Sequence, residues 1–187
     1  MDNGTHALAM DCIYEALVQL MDEKPYEKIT VTEIVARAGF SRMAYYRNYS
    51  SKDEILVKRL RALLDALAAQ APDTGELEFW EAFFDAITQD ETIDRVMSAG
   101  LYKELLALHM EFTWRYYEET QGRSRDDPQA AFAVCRTVGN VLGLLLYEFQ
   151  GGDISPRELA LMACASQRQP TAGIVTKASD PFVTIAS

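Results

Sequence analysis

Residues 29–54 read ITVTEIVARAGFSRMAYYRNYSSKDE, and the organisation of the chain can be derived outward from them. Thr30 and Glu33 have the spacing of a capping box, which predicts the start of a helix, and Gly39 suits its left-handed C-terminus. The segment 42–48 predicts a second short helix. Two short helices joined by a glycine-containing turn indicate a helix-turn-helix, whose second helix enters the major groove of DNA.

The same stretch resembles the tetracycline-repressor (TetR) family. The pattern of that family is T-x-x-x-I-A-x-x-A-G-V-S-x-x-T-x-Y-x-H-F-x-S-K-E, and residues 29–54 follow it closely. The resemblance implies a cytoplasmic homodimer that binds a palindromic operator in double-stranded DNA, usually as a repressor that a small ligand releases. An activator of the same fold is the alternative that the sequence leaves open.

The resemblance also implies which residues contact DNA. Tyr46 matches a tyrosine that contacts phosphate, and Lys52 matches a lysine that binds phosphate beside a helix N-terminus. Ala44 replaces the usual threonine and Asn48 the common histidine, so the operator sequence does not follow from the family. The expected DNA-binding residues are Thr30, Thr32, Arg42, Met43, Ala44, Tyr45, Tyr46, Asn48 and Lys52.

The charge distribution is compatible with this function but does not establish it. The chain has a formal net charge of −10, whereas residues 37–61 contain seven basic and two acidic side chains. A positive patch on an acidic protein can guide a polyanion to one face. A solvated basic helix surface would show the same pattern, so charge alone does not distinguish the two.

Helical periodicity continues to residue 168 and predicts an all-α protein with two domains. The helix that begins near Asp53 is long and connects them, and residues 72–75 form the clearest break in the chain. We expect a three-helix DNA-binding domain over residues 6–66 and a larger helical effector-binding and dimerisation domain over residues 67–168. The tail, residues 169–187, has no periodicity and is expected to be disordered or extended.

The second domain is rich in aromatic and methionine side chains, which often line adaptable apolar pockets. These side chains could equally form the core, and His109 could be a core histidine with its hydrogen bonds satisfied. Glu104, Glu111, Glu118 and Glu119 lie nearby in sequence, so the effector is expected to be apolar and neutral or cationic. The candidate effector-pocket residues are Trp80, Phe84, Met97, Leu105, His109, Phe112 and Tyr117.

The predicted helix 128–150 is apolar on nearly all sides and needs a packing partner beyond its own core. Gly139 and Gly143 would allow another helix to approach closely. Members of the TetR family dimerise through their last two long helices, which the resemblance implies here too. The candidate dimer-interface residues are Val134, Val138, Val141, Leu145, Leu159 and Met162.

Other classes of protein have weaker support. The sequence contains no nucleophile elbow, phosphate loop, dinucleotide glycine pattern or cluster of histidines, so neither a catalytic site, a metal nor a cofactor is expected. A small helical enzyme and an interaction adaptor without operator binding remain the alternatives. The longest uninterrupted apolar run without charge is short and contains glycine, and three widely spaced cysteines favour a reducing cytoplasm, so no membrane partner is expected.

Overall fold

The computed structural model describes residues 3–71 and 75–167, and within these ranges the chain is helical with no strand. The expected all-α class is confirmed. The predicted tail, residues 169–187, lies outside the described residues. The helices are α1 (Asn3–Glu23), α2 (Val31–Ala38), α3 (Arg42–Tyr46), α4 (Asp53–Ala68), α5 (Glu76–Gln89), α6 (Thr92–Ser98), α7 (Tyr102–Gln121), α8 (Pro128–Phe149) and α9 (Pro156–Gln167).

The first four helices pack around one apolar centre. Ile13 and Leu17 of α1, Ile34 of α2 and Leu56 of α4 are fully buried there. A short 3-10 turn, Tyr26–Lys28, connects α1 to α2 after Pro25. These helices bury their apolar stripes against each other, so the exposed side of α3 is left free.

The helix boundaries near α3 follow the predicted capping residues. Thr30 and Glu33 form the complete capping box at the start of α2, and Gly39 ends that helix with a φ of 73°. The Ser41 hydroxyl accepts a hydrogen bond from the Ala44 N–H at 3.1 Å and begins α3. At the start of α4, the Ser51 hydroxyl accepts from the Glu54 N–H at 3.3 Å, and the Glu54 carboxylate accepts from the backbone N–H of Ser50 at 2.6 Å.

The remaining helices form a second bundle in which α7 lies between α4 and α8, while α9 packs on both α5 and α8. Asp127 caps α8 with Pro128 in its first turn, and Ser155 and Glu158 form the expected box at the start of α9. The short helix α6 was not predicted, because a helix of two turns shows too little periodicity. It contacts α4 and lies against the first domain.

Helix α4 continues without interruption through residue 66, where the sequence suggests the end of the first domain. Leu60 near its middle and Leu64 and Leu67 in its second half are buried, as are the apolar residues of its first half. The buried residues on either side of this helix form one continuous cluster from Ile13 to Cys164. A movement of α4 is therefore transmitted to both bundles.

Candidate DNA-binding surface, effector site and dimer face

Helix α3 presents a small group of side chains to solvent. Met43 is 70% exposed and Tyr46 is 52% exposed, and Arg42 and Arg47 are exposed beside them. Ser41 and the Gly39 turn fix the start of the helix, so these side chains project from a defined position. A short, rigidly held helix with exposed polar and aromatic residues has the form required for reading base edges.

Arg42 and Tyr46 lie one turn apart on α3 and contact each other. The guanidinium carbon of Arg42 lies 5.9 Å from the centroid of the Tyr46 ring, and an Arg42 amino group approaches the Tyr46 hydroxyl to 3.5 Å. This contact restricts the guanidinium while leaving most of its donors free. Arginine can then bind guanine with two parallel hydrogen bonds.

Tyr45 is fully buried, and the expectation that it contacts a base is wrong. Its ring packs edge-on against Tyr46 at 5.1 Å and at a tilt against Tyr49 at 5.6 Å between centroids. Burial raises the pKa of its hydroxyl far above the ordinary value. Tyr45 therefore attaches α3 to the core, and Tyr46 next to it faces outward.

Two other expected DNA contacts are turned toward the protein. Ala44 and Asn48 are half-buried, and the Asn48 side-chain amide donates to the Ala44 carbonyl oxygen at 2.9 Å. The Lys58 ammonium donates to the Asn48 carbonyl oxygen at 2.5 Å. The Asn48 side chain thus donates its hydrogen bond to a carbonyl oxygen of α3. In this conformation the donating amide group is not directed toward DNA.

Lys52 also faces the protein interior. Its ammonium donates to the carbonyl oxygens of Tyr26 at 2.6 Å and Ile29 at 3.0 Å, and it lies 4.2 Å above the Tyr26 ring. The Tyr26 hydroxyl in turn donates to the Asp53 carboxylate at 2.5 Å. Two of the three donors of the ammonium are therefore occupied, and this arrangement does not favour the expected phosphate contact.

Thr30 and Thr32 differ in their availability at the start of α2. The Thr30 hydroxyl donates to the Glu33 carboxylate at 2.8 Å within the capping box, whereas the Thr32 side chain is exposed. Hydrogen bonds from Lys24 and Thr30 lower the pKa of Glu33 to about 2, so its carboxylate is ionised at neutral pH. Thr32 is the better placed of the two threonines for a phosphate contact.

The basic patch contains fewer free charges than the sequence suggests. Arg37 forms two bonds with the Glu23 carboxylate, at 2.7 and 2.8 Å, and five of the seven basic residues in 37–61 have a carboxylate or carbonyl partner. Within residues 3–71 and 75–167, Arg42 and Arg47 form no ion pair. Within residues 37–61, the positive charges without a carboxylate or carbonyl partner are thus concentrated on α3 and on the residue that follows it.

A comparison with protein-family models identifies the part of the chain that contains α2 and α3. Residues 13–58 match the model described as bacterial regulatory proteins, tetR family. The chain carries the DNA-binding domain of a TetR-family regulator. The comparisons with curated proteins and with solved structures gave no match. The TetR-type domain extends from the middle of α1 into α4 and includes the whole helix-turn-helix.

The candidate effector residues are all buried in the second bundle, outside the segment that matches the tetR-family model. Phe83 packs against Trp80 and Phe112, each at 5.3 Å between centroids, and the His109 ring lies 5.9 Å from Phe83 and 6.0 Å from Phe112. Phe83 is not among the seven candidate effector residues, although its ring contacts those of Trp80, Phe84, His109 and Phe112. The aromatic rings of this cluster are in contact with one another. The seven residues therefore stay predictions as effector contacts.

A cavity of about 120 Å³ lies beside this cluster, between α4 and α7. Leu64, Leu108 and Phe112 form its apolar wall, and Phe112 is the only predicted effector residue that lines it. Ion pairs across its rim join Arg61 to Glu111 at 3.0 Å and Arg115 to Asp65 at 2.7 Å. The cavity opens to the surface, and these ion pairs join the connecting helix to the effector bundle at its rim.

The acidic residues that suggested a cationic effector face away from the aromatic cluster. Glu104, Glu111, Glu118 and Glu119 are exposed, and Glu118 accepts a hydrogen bond from Arg125 at 2.8 Å. Glu111 and Glu118 line the neighbouring cavity, but each is paired there with an arginine, so they leave no uncompensated negative charge in it. The argument for a cationic effector is wrong for this reason.

The predicted dimer residues belong mainly to the core of the single chain. Val134, Val138, Val141, Leu145 and Leu159 are buried against α7 and α9, and only Met162 is exposed. The prediction of these five residues as interface is wrong. Helix α8 is apolar on two sides, and the sequence does not show which side packs inside its own chain.

The other side of α8 is exposed and largely apolar. Leu146 is 42% exposed, and a Cβ added at Gly139 or Gly143 would meet no atom within 4 Å. Helix α8 is also long and apolar enough to cross a membrane, a weak indication that core helices of soluble proteins share. The exposed apolar side chains of this face, together with those of α9, are Phe132, Leu146, Tyr147, Phe149, Leu161 and Met162.

The joint between the DNA-binding domain and the second bundle involves residues that sequence reasoning did not identify. The Tyr14 hydroxyl of α1 forms a buried hydrogen bond with the Thr92 hydroxyl of α6 at 3.0 Å. Arg95 of α6 contacts the Asp22 carboxylate at 2.6 Å. No local sequence signal marks these pairs, because their members are more than 70 positions apart.

Proposed function

We propose that the protein is a ligand-responsive repressor that binds a palindromic operator as a homodimer. The observation that carries this proposal is the arrangement of α3, in which buried Tyr45 fixes the helix while Arg42, Met43 and Tyr46 project from it. Regulators of this family are in general DNA-binding proteins without enzymatic activity. Since its partner is DNA, we expect the protein to act in the cytoplasm.

The exposed face of α8 and α9 supports the homodimer. An apolar face of this extent is unfavourable in water and is typical of an interaction surface. A second copy would present the same face, as a two-fold interface requires, and Gly139 and Gly143 would allow the two α8 helices to approach closely. The dimer would set the distance between the two α3 helices at about one turn of DNA, ~34–36 Å.

The position of α4 supports the response to a ligand. Its first half is buried with α1 and α2, and its second half contacts α7, which carries His109 and Phe112. A ligand that separates the rings of the effector bundle would displace α7 against α4. The α3 helices of the two copies would then no longer fit two successive major grooves, so the dimer would lose its contact with one operator half-site.

Selection of binding sites from random DNA duplexes tests the operator function directly. We expect a palindromic consensus whose half-sites lie about one helical turn apart, confirmed by an electrophoretic mobility shift. A reporter placed behind this consensus should show lower expression when the protein is present. Enrichment of no sequence, or of a single unrepeated half-site, would contradict the homodimeric operator complex, and a rise in reporter expression would identify an activator.

A further inference from the structure

A row of polar side chains runs along the buried side of α7. His109, Thr113 and Tyr117 follow one another at four-residue steps, which places them on one face of the helix over about 12 Å. His109 is 2% exposed, Thr113 is fully buried and Tyr117 is 4% exposed. Phe83 and Phe112 are the neighbours of His109, so this row lies within an aromatic environment.

The members of this row differ in their hydrogen bonding. The Tyr117 hydroxyl is satisfied by the Thr137 hydroxyl of α8 at 3.1 Å. Among residues 3–71 and 75–167, the His109 Nε2 and the Thr113 hydroxyl find no hydrogen-bond partner, although both are buried. Native proteins satisfy nearly all such groups, and an unpaired one destabilises the fold. A valine in place of Thr113 would have the same shape without this cost, so stability does not explain the hydroxyl.

The chemistry at the His109 end of the row disfavours a charged ligand, whereas the Tyr117 end lies near the charged groups Glu76, Arg123 and Arg136. His109 has no carboxylate beside it, and burial lowers the pKa of its imidazole to about 4, so the ring is neutral at physiological pH. Glu111 and Glu118 of α7 line the neighbouring cavity, where they are paired with Arg61 and Arg125, and Arg115 of the same cavity is paired with Asp65. A charged ligand would have to leave water without a counter-charge, which is strongly unfavourable.

We propose that His109 and Thr113 are the polar contacts of the effector site, and that the effector is an uncharged, largely apolar compound carrying a hydroxyl or amide group. This inference rests on the ligand response proposed above and specifies the class of ligand. A neutral imidazole and a hydroxyl can each donate or accept a hydrogen bond, so together they recognise a group that does both. The surrounding rings contact the apolar body of the ligand.

The cavity between α4 and α7 provides the route to this row. Phe112 lines the cavity and also lies 6.0 Å from the His109 ring. Rotation of the Phe112 ring therefore connects the cavity with the His109 imidazole. A ligand that enters here must separate α7 from α4, which breaks the contacts that hold the connecting helix.

Four compounds that share a naphthalene ring test the class of ligand. They are 2-naphthol, naphthalene, 2-naphthoate and naphthylmethylammonium, which differ only in the group they offer to His109 and Thr113. Isothermal titration calorimetry should show that 2-naphthol binds at least about tenfold more tightly than each of the other three. Equal or tighter binding of either ion, or no binding of 2-naphthol at millimolar concentration, would overturn the proposal.

Thr113→Val and His109→Phe locate the contact. Each should weaken 2-naphthol binding about tenfold while leaving naphthalene binding unchanged, which also shows that the bundle remains folded. Thr120→Val, on the exposed side of α7, is the matched control and should leave both affinities unchanged. If both buried variants bind 2-naphthol as tightly as the unmodified protein, the two residues are not its contacts.

Operator affinity measured with the same compounds separates this inference from the proposed function. If 2-naphthol binds through His109 and Thr113 but leaves operator affinity unchanged, the ligand site stands and the proposed ligand response fails. If one of the ions lowers operator affinity while 2-naphthol does not bind, the ligand response stands and the inference fails.

Discussion

The ammonium group of Lys52 donates to the backbone carbonyl oxygen of Tyr26 at 2.6 Å, so the N-terminal end of α4 is bound to the connection between α1 and α2. The Tyr26 carbonyl oxygen also accepts from the Ile29 backbone N–H at 3.0 Å, so the lysine adds a second donor to a turn that is already hydrogen-bonded. The same lysine was expected to bind DNA phosphate. The two roles predict different consequences when the ammonium is removed.

Lys52→Met is expected to lower the free energy of unfolding by about 1–2 kcal/mol, because the Ile29 carbonyl oxygen loses the Lys52 donor and the Tyr26 carbonyl oxygen loses one of its two donors. Binding to all DNA sequences should weaken, while the slope of log affinity against log salt concentration stays unchanged. Arg47→Ala is the comparison variant, because Arg47 is an exposed arginine. If Arg47 contacts phosphate, this variant reduces the slope of log affinity against log salt concentration by about one. A reduction of about one for Lys52→Met would instead establish the phosphate contact.

Arg42→Ala is expected to weaken operator binding by roughly 1–3 kcal/mol and to relax specificity at one base pair of each half-site. The Arg42 guanidinium is exposed and restricted only by Tyr46, so it is free to bind guanine. Affinities for the operator and for its single-base variants measure the effect. Arg37→Ala, whose guanidinium is paired with Glu23, should leave discrimination unchanged, and equal losses at every base pair for Arg42→Ala would contradict a base contact.

Leu146→Glu is expected to dissociate the proposed dimer, since each copy would place a carboxylate in an apolar interface. Loss of two leucine contacts raises the dissociation constant at least about a hundredfold. Light scattering after size-exclusion chromatography should give the mass of a single chain, with unchanged helix content. Leu106→Glu, at an exposed position of α7, should remain dimeric. A Leu146→Glu protein that stays dimeric would place the interface elsewhere.

Acidification is expected to destabilise the protein through His109. Its pKa is about 4 in the folded state and about 6.5 in the unfolded chain, so between these values the unfolded chain binds the additional proton. Stability therefore falls as pH falls through this window, by at most about 1.4 kcal/mol per pH unit. Between pH 7 and pH 5 the loss should approach about 2 kcal/mol.

His109→Phe should remove this part of the pH dependence, which urea unfolding at pH 7 and pH 5 measures. Glu33 and Glu54 do not obscure the comparison, because hydrogen bonds hold their pKa at about 2 and their contribution is lost only below their ordinary range. The same loss of stability in both proteins would show that His109 is protonated in the folded state.

Tyr14→Phe is expected to lower the free energy of unfolding by about 1 kcal/mol, because the buried Thr92 hydroxyl loses its partner. In the double variant with Thr92→Val, no polar group remains unpaired. The double-mutant cycle should therefore give a coupling energy of about 0.5–1.5 kcal/mol. Strictly additive losses would mean that the hydroxyls do not hold α1 to α6.

Capping residues predict the helix boundaries well because their signals are local. Thr30, Gly39 and Asp127 each act within a few residues of their own position, and the structure places them as expected. The orientation of neighbouring side chains is less predictable. Tyr45 and Tyr46 are alike in sequence, and only the packing of Tyr45 against Tyr49 determines which one faces DNA.

Tertiary contacts explain the remaining errors. Helix α8 has two apolar sides, and the partners supplied by α7 and α9 select the side with Val134 and Val138 as the internal one. Lys52 has the sequence context of a phosphate ligand, yet two carbonyl oxygens from a segment more than 20 positions away accept its hydrogen bonds. Neither choice is encoded within a local window of sequence.

The continuous core along α4 has a thermodynamic consequence. Because the leucines of this helix belong to both bundles, neither bundle keeps its apolar centre when the other melts. Calorimetry should show a single cooperative transition, with equal van't Hoff and calorimetric enthalpies. A fragment cut after Ala68 would expose Leu64 and Leu67 and would be prone to aggregate, so the two bundles fold as one unit.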